Sequence, residues 1–172
     1  MKTTILYALL LIPFLSIAQQ SPSLSFFEKH SEDKGTTSVY ITEHTFDFFS
    51  RISENEEALS FKKAVSTLKS IKVLESDRTS NRIETNIFHT ELLPSLSKYE
   101  EILKVKEEGQ IIRIFIYEKQ HKITEFVVLN YGPSENILVI MEGEDIDIKQ
   151  LASLSETMNI NGIDHIDEIN KN

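Results

Sequence analysis

The spacing of apolar positions changes several times along the chain, and each change marks an element. Beyond an apolar opening stretch, Ser21-Pro22 reads as a helix start, with serine as cap and proline in the first turn; Ser25-Phe26-Phe27-Glu28 spells a capping box as the alternative. Either start gives a short helix with Leu24, Phe27 and His30 on one face, ended by the polar run Ser31 to Thr37. Ser38-Val39-Tyr40-Ile41 is β-branched and aromatic and predicts a first strand. Thr42 can cap the helix that follows, in which Phe46, Phe49 and Ile52 recur at about helical spacing with Phe48 adjoining. Glu54, Glu56 and Glu57 suit the positive end of a further helix, where Phe61, Ala64, Val65 and Leu68 fall on one face and Lys62, Lys63 and Lys69 point outward. Ile71 to Leu74 predicts a second strand and Glu75 to Ser80 a polar loop. Ile83, Ile87, Phe88 and Leu92 predict another helix, closed or kinked at Pro94.

From Tyr99 onward the period shortens. Leu103 and Val105 alternate with lysines, Glu108-Gly109 offers a turn, and strands at 111–117, 123–129 and 137–141 are separated by Gln120-His121 and by Tyr131-Gly132-Pro133-Ser134. Four successive strands with short connections predict an antiparallel meander. Asp147 can cap a closing helix carrying Ile148, Leu151, Leu154 and Met158, and Ile160, Ile163, Ile166 and Ile169 give an amphipathic tail. The expected fold is α+β: an antiparallel sheet, made of a meander of about four C-terminal strands plus two earlier strands, with helices packed mainly on one face. Residues 19–158 are expected to form one domain and 159–172 the tail.

The first eighteen residues read as an address. Lys2 precedes the apolar stretch Ile5 to Ile17, which is short of the roughly 20 residues a membrane span needs. Ser16-Ile17-Ala18 then supplies the small residues after which a signal peptidase cuts, leaving Gln19 as the new terminus. An exported chain, periplasmic or secreted, is the expectation, with no stable membrane span once the signal is removed.

Charge and composition narrow the function classes. Lys and Arg number 18 against 27 Asp and Glu, a formal charge of −9, and such a surface repels a phosphate backbone, so no nucleic-acid partner is expected. With no cysteine, disulfides, thiolate zinc sites and thiol catalysis are excluded. Histidines 30, 44, 89, 121 and 165 lack the spacing that sets two imidazoles over a metal, and His89-Thr90-Glu91 has no second histidine. Glu142 to Asp147 is densely acidic but lacks the calcium-loop spacing, and capping by Asp147 accounts for it better. The five glycines are isolated, so no phosphate-cradling loop is formed, and no G-x-S-x-G elbow occurs. No cofactor, metal or disulfide is expected. Glu100-Glu101 on a strand point to opposite faces, as solvated or edge-guarding charges.

The ordered signposts Phe26-Phe27-Glu28-Lys29, Thr37 to Ile41, Ser70 to Leu74, Tyr99 to Val105, Glu125 to Leu129, and Gly143 with Asp147 carry a resemblance. The chain from about Leu24 to Leu154 resembles a family of short exported proteins common in Bacteroidetes bacteria and known only as a domain of unknown function. The resemblance implies the fold and no reaction, and it implies envelope signalling as a setting. The reading that follows is a non-catalytic binding domain engaging an envelope protein or peptide. Phe48, Tyr99 and Tyr117 are its candidate aromatic anchors. The alternatives are a hydrolase using His44, Asp47, His89 and Glu91, or a small-ligand carrier with a cavity lined by strands 111–117 and 123–129.

Overall fold

The computed structural model describes residues 20–52, 61–63, 65–76, 86–149 and 151. The opening stretch 1–18, the acidic cluster at 54–57, Ala64, the loop beyond Ser76, positions 81–85, the last helix beyond Leu151 and the tail 159–172 lie outside the described residues.

Helix α1 spans Pro22–His30, with proline in its first turn and Ser21 Oγ accepting the Leu24 amide at 3.4 Å, so the serine start prevails over the capping box. Strand β1 (Thr36–Thr42) leads directly into α2 (Glu43–Ile52). Residues 61–63 are helical, but the chain turns at 66–67 and β2 (Leu68–Ser76) begins where that helix was expected to end. Leu68 thus enters the core from a strand. A helical turn of wide, π-type geometry, Phe88–Leu92, continues into the short α3 (Leu93–Ser95). Pro94 falls in the first turn of α3. The meander follows as β3 (Glu100–Glu107), β4 (Gln110–Lys119), β5 (Lys122–Tyr131) and β6 (Asn136–Gly143).

The two-residue turns of the meander twist the way antiparallel strands require. Glu108 and Gly109 have φ of 48° and 88°, joining Glu107 to its partner Gln110. Gln120 and His121 (φ 55° and 61°) join Lys119 to Lys122. Both pairs fit the left-handed hairpin turn that matches strand twist, the second without glycine's freedom.

All six strands form one antiparallel sheet in the order β1-β2-β6-β5-β4-β3. The fold class is the expected α+β, with the meander intact and both earlier strands added beside β6. Its layering differs from the expected one. Ile71, Met141, Phe126 and Ile116 stand side by side on one face and pack with Phe46 of α2, Val65, Ile146 and Leu151. Leu74, Leu138 and Leu129 stand on the other and pack with Phe26 and Phe27 of α1 and with Phe88 and Leu92. Helical elements therefore cover both faces. That is why β5 is buried continuously from Glu125 to Tyr131: a strand covered on both sides reads as an unbroken apolar run.

Asp147 caps as expected, its Oδ1 accepting the Lys149 amide at 2.9 Å. Gly143 ends β6 against the chain at Thr67, whose carbonyl accepts the Glu144 amide at 2.9 Å.

Candidate functional site

The sheet face covered by α1 ends in a polar row. The strand register sets Ser70, Glu142, Glu125 and Tyr117 next to one another across β2, β6, β5 and β4. Leu74, Leu138, Leu129, Ile140 and Val127 fill much of the rest of this face, with Lys72 in the next row, so the two neighbouring glutamates need specific partners. Glu142 has them within the sheet: Ser70 Oγ donates to its Oε2 at 2.6 Å and the Lys72 ammonium pairs with the same oxygen. Lys72 is itself nearly buried and lies over the Tyr40 ring, 4.7 Å from its centroid.

Glu125 is held differently. It is 7% exposed, and its Oε2 accepts hydrogen bonds from Ser23 Oγ and Tyr99 Oη, both at 2.7 Å. The two donors come from the first turn of α1 and from the segment just before β3, so one carboxylate ties three distant parts of the chain together. Both are neutral, and no cationic side chain among the described residues pairs with Glu125. Burial, reinforced by the charge of Glu125, holds the Tyr99 phenol well above its ordinary pKa, against the opposing hydrogen bond with Ser23. Tyr99 therefore remains a donor.

Above this floor lies a groove of about 1230 Å³. Ser21, Pro22 and Leu24 of the α1 start border it on one side, and Lys119, Gln120 and Lys122 of the β4–β5 turn on the other. The rings of Tyr99 and Tyr117, 5.1 Å between centroids and tilted by 37°, line it. Around the rim Lys69 pairs with Glu144 at 2.5 Å and Lys122 with Asp145 at 3.4 Å. The Glu144 hydrogen bond, then its charge, raises the pKa of the Lys69 ammonium, and the same contact lowers that of Glu144.

The sequence-derived candidates fall in different places. Tyr99 and Tyr117 meet in the groove, where Tyr99 is 9% exposed and its hydroxyl donates to Glu125. Phe48 is 60% exposed on α2, which packs on the opposite face through Phe46. Phe49 is exposed as well, so of the three phenylalanines only Phe46 enters the core. The histidines and acids of the hydrolase alternative are not brought together. His44 and Asp47 lie on α2, while His89 and Glu91 lie on the π-type turn against the other face. His89 Nδ1 is 3.5 Å from Tyr131 Oη. Strands 111–117 and 123–129, offered as cavity walls, send their apolar side chains into the two packed clusters.

A second polar cluster escaped the sequence reading. His30 is buried against Phe26, with Nδ1 2.8 Å from Asp33 Oδ2 and Nε2 3.3 Å from Glu91 Oε1. Lys29 reaches the same Glu91 oxygen at 2.5 Å, and these donors, Lys29 first, lower the Glu91 pKa. Both imidazole nitrogens are engaged, which suits a clamp between α1 and the π-type turn rather than proton transfer. The three-residue spacing of His30 and Asp33 was a signal for half of it; Glu91, 61 positions away, left none. Among the described residues no group of three or more histidines and carboxylates could hold a metal, and no helix is long and apolar enough to cross a membrane.

A six-stranded antiparallel sheet with helical cover on both faces and a polar groove at one end defines a small α+β domain with a surface site. Residues 27–154, about three quarters of the chain, match the family model described as Domain of unknown function (DUF4252), and the chain belongs to that family. No curated protein and no solved structure shows significant similarity to it.

Proposed function

We propose that the protein is an exported binding module that uses the groove over Glu125 to hold an extended segment of an envelope protein, one that presents a cationic amine. Export rests on the opening sequence: residues 1–18 are removed and Gln19 becomes the terminus. Terminal sequencing of protein recovered from the envelope fraction should read Gln19, and an intact Met1 would overturn it. A signalling assembly of the envelope is the setting proposed for the module.

The observation that carries the binding reading is Glu125, a buried carboxylate at the floor of an open groove, satisfied by neutral donors and placed beside the second carboxylate of Glu142. Like charges on adjacent strands oppose one another, and Glu142 alone has its own lysine. An incoming ammonium would complete the missing pair, with the Tyr99 and Tyr117 rings packing its aliphatic stem. Both hydroxyl donors reach Oε2, which leaves Oε1 for the ligand. The groove is open to solvent and lined by residues of the α1 start, the β4–β5 turn and the end of β6, which suits an extended peptide.

Calorimetric titration with lysine-centred and glutamate-centred pentapeptides tests this. The lysine peptide should bind, the glutamate peptide should not, and Glu125→Gln should weaken binding about tenfold or more, since one partner of a buried charge pair is lost. Equal binding of the two peptides, or a Glu125→Gln variant that binds as well as the parent, would refute the reading.

A further inference from the structure

The two edges of the sheet are built differently, and the difference points to a second copy of the chain. Strand β3, at one edge, carries Glu100, Glu101, Lys104, Lys106 and Glu107 and is bulged between Glu101 and Leu103. Charges and a bulge are the devices by which a sheet keeps an edge from pairing. Strand β1, at the other edge, has neither. Its seven residues, Thr36 to Thr42, are uncharged, free of proline, mostly β-branched or aromatic, and pair with β2 in an unbroken register. Val39 and Tyr40 are 43% and 60% exposed. On a chain of formal charge −9, this is a neutral, regular edge with no further strand beside it among the described residues.

We propose that β1 pairs antiparallel with β1 of a second copy, joining two sheets into one of twelve strands about a two-fold axis at Val39. Three features select this occupant. Pairing centred on Val39 sets Tyr40 opposite Ser38 and Ile41 opposite Thr37 of the other copy, so large side chains meet small ones, and no position meets a like charge. Lys34 and Glu43, both exposed, flank the strand at opposite ends. The antiparallel arrangement brings Lys34 of each copy toward Glu43 of the other, whereas a parallel one would set like charges together. The register also keeps equivalent faces of the two sheets on the same side, as a closed two-fold dimer needs. Groove and edge are separate: Glu125 lies on β5, with β2 and β6 between it and β1.

The test is sedimentation of the purified protein from nanomolar to submillimolar concentration, with hydrogen exchange followed at β1. The parent should pass from monomer to dimer with a micromolar midpoint, and exchange at β1 amides should slow as it does so. Val39→Lys and Val39→Glu should each be monomeric throughout, because the axis places the two new charges face to face. Mixed in equal amounts they should restore the dimer, now as a Lys–Glu pair; this recovery shows that both variants fold. A parent that stays monomeric, a dimer unaffected by either substitution, or two variants that do not recover on mixing would each overturn the proposal. So would β1 protection that appears only when another protein is added.

Discussion

Replacing Tyr99 by phenylalanine removes one oxygen from the groove floor and leaves the rest of the residue in place. The ring keeps its packing against the α1 face and its contact with Tyr117, so the change removes the 2.7 Å hydrogen bond to Glu125 together with the 3.1 Å contact to Ser23 Oγ. A hydrogen bond to a charged group contributes about 1.5–3 kcal/mol, and the 7% exposure of Glu125 leaves little room for water to replace it, so a loss of about 2 kcal/mol is expected near neutral pH. The loss should depend on pH in a stated direction. The folded phenol has a raised pKa, so between the unfolded value near 10 and the higher folded one the native state holds a proton that the unfolded chain has released. The stability from this site is complete below about pH 10 and declines as pH rises, by up to about 1.4 kcal/mol per unit. Urea unfolding followed by circular dichroism at a series of pH values should show the parent losing stability faster than Tyr99→Phe above pH 10, so that the two curves converge. Curves that stay parallel through the alkaline range, or a neutral-pH loss below about 0.5 kcal/mol, would refute the proposed partnership of Tyr99 and Glu125.

Other perturbations probe separate parts of the account. Phe46→Ala should cost about 3–5 kcal/mol in denaturant unfolding and Phe48→Ala less than about 0.5, because the first ring is 4% exposed and the second 60%. Gly143→Ala should cost about 1–3 kcal/mol, since a Cβ there meets the Thr67 carbonyl oxygen, and 2.9 Å away the Ile146 Cγ1; thermal melts give the measure. Replacing Gln120-His121 by Asn-Gly should raise stability by about 1 kcal/mol, because both positions have positive φ, which asparagine and glycine adopt more readily. Glu91→Gln should flatten the acid limb of the stability curve. The lowered Glu91 pKa contributes stability that is present above the ordinary carboxylate value and lost as pH falls through the folded one, and partial exposure limits it to about 1 kcal/mol.

The fold was more legible in the sequence than the site, for a physical reason. Turn chemistry and alternation are local, so Glu108-Gly109, Gln120-His121 and Tyr131-Gly132 marked the meander, and Ser21-Pro22 marked α1. The layering was missed although its sign was present: Phe126-Val127-Val128-Leu129 is an unbroken apolar run, which calls for cover on both faces rather than one. Leu68 fits a helical stripe with Phe61 and Val65, yet it opens β2, because pairing with Gly143 of β6 overrides a periodicity that four residues can satisfy by coincidence. The groove floor joins Ser23, Tyr99 and Glu125, the first and last 102 positions apart, and no spacing rule relates them. Tyr99 is legible as an aromatic anchor and Glu125 as part of an ordered signpost, but nothing in the sequence joins the phenol to the carboxylate.

The central proposal is that Glu125 meets a cationic partner. The most direct measurement is a heteronuclear NMR titration of the labelled protein with the lysine-centred pentapeptide, beside the same titration of Glu125→Gln. Shifts should cluster on Tyr99, Tyr117, Thr124 and Glu125 and be lost in the variant while the rest of its spectrum is retained. Shifts clustered instead on β1 or on α2 around Phe48, or an unchanged cluster in Glu125→Gln, would contradict it.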